Sequence, residues 1–220
     1  MKSNGILVSQ LVGSLIAFVL SFCIIVPISL HKEDFAGHCL LFSSGVWRES
    51  DGQFVVQWAS RFYCNFAIVI SLFLGLTSLI QAYKIGKHLY KGTESTFLAS
   101  FFDTVISLLL AVITLTGALI ITLGFFYWCN DITQRFEACE DAEQNNIDKA
   151  DGIDTSNFFT HLTIAQYGAW MSMVCWVGIF VCSFIKLVRH HAEQNLRASM
   201  ARERRRLFTE GVQEVTDTIR

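Results

Sequence analysis

The chain has 220 residues, of which 52% are apolar and 16% charged, with 19 Phe, one Pro and a formal net charge of −2. Charged residues fall well below the roughly 25% usual in soluble domains, and mean hydropathy is +0.43. These figures exclude a disordered chain and a strongly basic nucleic-acid binder, and they point to a lipid bilayer rather than one soluble core.

A bilayer-spanning helix needs about 20 apolar residues. Four windows without Asp, Glu, Lys, Arg or His are long enough: Ser3 to Leu30, Phe62 to Tyr83, Thr104 to Asn130 and Leu162 to Ile185. They predict transmembrane helices at about 6–30, 63–83, 104–127 and 164–187, joined by loops 31–61, 84–103 and 131–161. The first window is far longer than the apolar run of a cleaved signal peptide, so it reads as a span.

Helix 1 carries Gly5, Ser9, Gly13, Ala17 and Ser21 at strict four-residue spacing on one face. Small residues let helix backbones approach closely where lipid supplies no hydrophobic drive. This face is read as bundle packing, or as a docking face for a partner's helix. Pro27 is expected to kink or end the helix. The 31–61 loop then holds Val46 to Ser50 and Gln53 to Gln57 on either side of Asp51-Gly52. Asp-Gly between alternating runs signals a β-hairpin, because a type I′ turn needs positive φ at both positions. Cys39 to Phe42 could add a third strand.

Helix 2 repeats the small-residue spacing with Ala67, Ser71 and Gly75, and helix 3 with Thr114, Ala118 and Thr122. The 131–161 loop bears eight acidic residues between Asp131 and Asp154 against two basic ones. Asp148, Asp151, Gly152 and Asp154 do not have the alternate-position spacing of an EF-hand, so the loop reads as solvated. Aromatic residues mark the expected headgroup levels: Trp58, Phe62 and Tyr63; Phe125 to Trp128; Phe158, Phe159, Tyr167 and Trp170; and, on the inner side, Tyr83 and Tyr90. Trp176, half-way down helix 4, reads as a packing residue.

Lys and Arg counts set the orientation. The N-terminus, the 84–103 loop and the tail hold 12; the other two loops hold 5. Both termini are therefore expected in the cytosol, with loops 31–61 and 131–161 outside or in a lumen. Of seven cysteines, Cys23, Cys175 and Cys182 lie in spans. Cys39, Cys64, Cys129 and Cys139 fall on the oxidising side, where an even set reads as two disulfides. Three pairings are open; the sequence-local one, Cys39 with Cys64 and Cys129 with Cys139, is preferred.

Past helix 4, Ala192, Leu196 and Met200 recur at four-residue spacing amid basic residues, ending in Arg202, Arg204, Arg205 and Arg206. Residues 191–220 thus form a basic amphipathic tail after a four-span domain, 1–190. Such a tail could lie on an anionic leaflet, carry an arginine-type retention signal, or be a solvated helix. Catalytic and transport sites in membranes usually show buried ionisable residues, and none of the predicted spans has one in its interior. The six His fall in loops, at span edges or in the tail. No P-loop, nucleophile elbow or metalloprotease motif is present. No catalytic, cofactor-binding or metal-ligating residue is assigned, and no enzyme activity is expected.

Phe35-Ala36-Gly37-His38-Cys39-Leu40-Leu41-Phe42, Ile25-Val26-Pro27, Cys64, Trp128-Cys129-Asn130-Asp131-Ile132-Thr133, Cys139-Glu140, Asn157-Phe158-Phe159 and Ile164-Ala165-Gln166-Tyr167-Gly168-Ala169-Trp170 resemble the motifs of the transmembrane protein 179 family. The likeness covers about 3–190 and is nearer the 179 branch than 179B. It implies a four-span protein with cysteine-bearing outer loops. By analogy the architecture is similar to claudin-like tetraspans, although the claudin W-G-L-W-C-C motif is missing. The expected fold is thus an all-α, four-helix transmembrane bundle with a small extracellular β-hairpin. The expected role is a non-enzymatic accessory or scaffold that binds other membrane proteins such as channels or receptors. A pore-forming homo-oligomer is the alternative. The bilayer itself and a membrane protein are the expected partners, and nucleic acid is not. The membrane is expected to be the plasma membrane or that of a secretory-pathway vesicle.

Overall fold

A computed structural model describes residues 2–50, 54–92, 96–144 and 155–218. The Asp51-Gly52 turn and the acidic residues Asp148, Asp151 and Asp154 lie outside the described residues. Four long helices, α1 (Lys2–Asp34), α2 (Phe62–Lys91), α3 (Phe97–Ile132) and α4 (Phe158–Thr218), account for most of the chain. Each is long and apolar enough to cross a membrane, and the protein is an integral multi-pass membrane protein. In lipid every backbone N–H and C=O must be satisfied within the segment, which dictates helices there.

Every helix runs beyond its charge-free window. α1 continues through Pro27 to Asp34 rather than stopping at the proline. Pro27 is buried in the bundle, and neighbouring helices support the backbone a proline leaves unpaired. α2 stops where Gly92 adopts a left-handed φ of 61°, the usual glycine terminator. α3 starts at Thr96, whose hydroxyl accepts from Ala99 N, a standard N-cap. At the start of α4, Thr160 N donates to a Glu143 carboxylate oxygen at 3.2 Å. Glu143 belongs to a short 3-10 helix, Cys139–Gln144, and its negative charge suits the positive end of the α4 dipole.

The bundle order differs from chain order. α1 packs along both α2 and α4, α4 packs along α3, and α2 and α3 touch only lightly. Small residues explain the close pairs. A Cβ on Gly168 of α4 would lie 3.0 Å from Cys23 Cβ on α1, and one on Gly75 of α2 would lie 2.7 Å from Ser21 Oγ. Polar bonds also cross between helices: Gln10 Nε2 donates to Ser183 Oγ at 2.7 Å, Trp170 Nε1 to Thr122 Oγ1 at 3.0 Å and Lys32 Nζ to Asn65 Oδ1 at 2.9 Å.

At the end opposite the termini, β1 (Cys39–Trp47) and β2 (Phe54–Ala59) form a two-stranded antiparallel sheet. Trp47 pairs with Phe54, Val46 with Val55 and Gly45 with Val56. Cys39 to Phe42 form no third strand. They belong to β1, where the register shifts between Cys39 and Ser44 and Phe42 takes a φ of 63°. Ser43 fastens this bulge: its hydroxyl donates to Cys39 O at 2.7 Å and accepts from Ala59 N at 2.9 Å. The slack in register lets Leu40 and Leu41 turn inward, and both are completely buried.

The core has two parts. The larger joins the sheet to all four helices through residues such as Ile28, Leu41, Phe54, Trp128 and Phe158. The smaller, with Ala17, Leu74, Leu110, Trp176 and Ile179, fills the bundle nearer the termini. Trp176 is fully buried, a packing residue as expected. Trp128 and Phe158 are not headgroup anchors: both are sealed in the larger core, at 1% and 0% exposure. Phe126 and Tyr127, the two residues before Trp128, are exposed, as is Tyr167 on α4. A helix turns by about 100° per residue, so an aromatic run at one depth splits between core and lipid.

Candidate functional site

The junction between sheet and bundle is the most elaborated region of the molecule. Asp131, in the last turn of α3, accepts from Gly45 N at 3.1 Å through a carboxylate oxygen, and its carbonyl accepts from Trp47 Nε1 at 3.3 Å. The Arg135 guanidinium stands 5.1 Å from the centre of the Trp47 ring, a cation–π distance. Gly45 lacks a side chain where the Phe54 ring lies across it; a Cβ there would come within 2.3 Å of that ring. Trp58 stacks on His38 and, more distantly, on Trp128. These contacts hold the sheet flat against the end of α3.

Cys39 is bonded to Cys64 and Cys129 to Cys139, which is the sequence-local pairing. The first staples β1 to the start of α2, and the second folds the post-α3 segment back on its helix. Chain-entropy accounting for loops of this size gives about 3 kcal/mol of stabilisation each. Cys23, Cys175 and Cys182 are free thiols.

The small-residue face of α1 is placed residue by residue. Ala17 and Ser21 are buried, and a Cβ on Gly13 would sit 3.2 Å from Ile179. Ser9 is exposed but meets Cys182 Sγ at 3.9 Å. Gly5 is exposed and has nothing within 4 Å of its Cβ position. The face from Gly13 to Ser21 therefore packs within the bundle. Arg202, Arg204, Arg205 and Arg206 all lie exposed on the continuous α4 helix.

Two features were not legible in the sequence. His31, placed at a span edge, lies inside α1, is 0% exposed, and neither ring nitrogen has a hydrogen-bond partner. Its ring packs 4.3 Å from that of Phe35. Nearby, His161 Nδ1 stands 3.7 Å from an Asp34 carboxylate oxygen. The second is a cavity of about 310 Å³ at the terminus-bearing end, walled by all four helices. Lys84, Asp103 and Lys186 line it, with Gln81 and the Gln10–Ser183 pair deeper in. Each of these three charged residues is the first beyond its window, and that is the one sequence signal that could have found them.

Among the described residues no group of three His, Cys, Asp or Glu side chains is arranged to hold a metal ion. No solved structure matches the chain. A family model described as the Transmembrane protein 179/179B Claudin domain matches residues 6–208. That match spans the four helices, the sheet and both disulfides, and covers the 179 and 179B branches together. With four spans, a sheet stapled at one end and a match over nearly its whole length, the chain belongs to the transmembrane protein 179/179B claudin-domain family.

Proposed function

We infer that this protein is a non-enzymatic accessory or scaffold that binds another membrane protein, with both termini in the cytosol and the sheet outside or in a lumen. The observation that carries the reading is a bundle packed from the sheet down to Trp176, beneath a braced, exposed platform. Trp128, Ile121, Leu74 and Trp176 occupy the space between the helices at successive depths. The sheet above is tied down by the Cys39–Cys64 disulfide and by Asp131, yet its Val46–Val55 cross-strand pair is 73% and 46% exposed. A platform stiffened before binding loses little conformational freedom when a partner docks. Apart from His31 near the end of α1 and the Gln10 amide bonded to Ser183, the polar side chains buried in the four helices are hydroxyls, and most of these bond the preceding turn of their own helix. That pattern suits packing better than proton or ion transfer.

The reading is tested by purifying the full chain in a mild detergent and identifying what accompanies it. A membrane protein present in fixed stoichiometry, and lost from a Val46→Asp variant that keeps both disulfides, is the expected result. A homogeneous homo-oligomer that conducts ions in liposomes would overturn it in favour of a pore.

A further inference from the structure

We propose that the cavity at the terminus-bearing end binds the head group of an aminophospholipid, with an acyl chain leaving between α2 and α3. Depth is the first argument. The charge-free part of α2, Phe62 to Tyr83, is 22 residues and covers about 33 Å, the thickness of the hydrocarbon layer. Lys84 follows it directly, Asp103 directly precedes the window of α3, and Lys186 directly follows that of α4. Three helices thus deliver their first charges to one level, where phospholipid phosphates lie. The cavity they share, about 310 Å³, falls within the roughly 300–1,000 Å³ range of small-ligand sites.

Charge and hydrogen bonding select the head group. Two ammonium groups, one carboxylate and the His88 imidazole line the cavity, and Lys84 Nζ stands 3.8 Å from Asp103 Oδ1. A phosphodiester suits Lys84 and Lys186 as point-charge partners. A primary ammonium suits the Asp103 carboxylate. Gln81 Oε1, also on the wall, is buried without a donor. A buried acceptor left without a partner is costly, and an ammonium supplies three donors. A trimethylammonium head supplies none. Phosphatidylethanolamine and phosphatidylserine therefore fit; phosphatidylcholine leaves Gln81 unanswered.

The route for the tail is lateral. Phe102 and Ile106 of α3 line the cavity and are also 55% and 41% exposed on the outside of the bundle. α2 and α3 touch only lightly. A lipid can enter from the bilayer without any helix separating from its principal partner.

The experiment uses full-length protein in nanodiscs of phosphatidylcholine doped with phosphatidylethanolamine, exchanged into detergent, with bound lipid counted by native mass spectrometry. The expected result is one phosphatidylethanolamine retained per chain, about tenfold in preference to phosphatidylcholine. Lys84→Gln with Lys186→Gln should release both lipids. Asp103→Asn should keep a phospholipid but lose the preference between head groups, an outcome a misfolded protein would not give. Equal retention of the two lipids by the wild type overturns the proposal. So does an Asp103→Asn variant with unchanged preference, or displacement of the lipid by millimolar glycerophosphoethanolamine, which would mark a soluble ligand.

Discussion

Gly124 of α3 and Leu41 of β1 meet so closely that no side chain fits between them: a Cβ at 124 would lie 2.9 Å from Leu41 Cβ and 3.1 Å from the Phe42 ring. The obstructing atom is the root of a fully buried side chain, which cannot swing away. Gly124→Ala is expected to cost about 1–3 kcal/mol by overpacking. A lowered unfolding midpoint in detergent, with both disulfides retained, checks it. An unchanged midpoint would mean that the bulge yields.

The contact depends on the sheet being seated by Asp131. Asp131→Ala removes the acceptor for Gly45 N and leaves a part-buried donor unanswered, a cost of about 1–3 kcal/mol. Asp131→Asn keeps an acceptor oxygen and should recover most of that loss. Limited proteolysis within 43–59 is the measurement: cleavage should rise in the alanine variant and stay near wild type in the asparagine one.

The disulfides make a prediction about peptides. Digestion without reductant should link the Cys39 peptide to that of Cys64 and the Cys129 peptide to that of Cys139, with Cys23, Cys175 and Cys182 recovered as thiols. Any cross-loop link would contradict the fold at the junction. Serine at Cys64 or Cys129 should lower stability by about 3 kcal/mol.

Helix 1 offers a matched pair of glycines. Gly13 faces Ile179 at 3.2 Å from its Cβ position, whereas Gly5 faces open space. Gly13→Leu should force α1 from α4 and cost about 1–3 kcal/mol or more, while Gly5→Leu should be tolerated. Thermal aggregation of the two variants side by side separates them. If instead Gly5→Leu abolished binding of a partner protein with the fold intact, the end of this face would be an interface.

Much of the architecture was legible because its causes are local. Lipid offers the backbone no partners, so a window such as Phe62 to Tyr83 must be a helix whatever surrounds it. The four cysteines could be sorted from the other three because residues near a span boundary share its compartment. Of the Gly5 to Ser21 series, Gly13, Ala17 and Ser21 lie on the side of α1 that meets its neighbours, while Gly5 faces open space. Lateral order was not legible, because it depends on pairings between segments far apart in sequence, such as Gln10 with Ser183. Trp128 and Tyr127 have similar interfacial preferences, and only the turn of α3 against the sheet buries one and exposes the other. His31 lies just beyond its window, and the fold buries it completely against Phe35.

By itself the sequence determined four spans, their boundaries in charge, a strand pair and a set of cysteines able to bridge, since each follows from the chain's local transfer between water and lipid. Tertiary structure alone decided that α1 and α4 form the centre of the bundle, that Leu40 and Leu41 leave the strand register to plug it, and that Lys84, Asp103 and Lys186 meet around one cavity. Those outcomes rest on shape complementarity between distant segments. In a bilayer, where lipid solvates apolar surfaces as well as a neighbouring helix does, packing is what selects the arrangement.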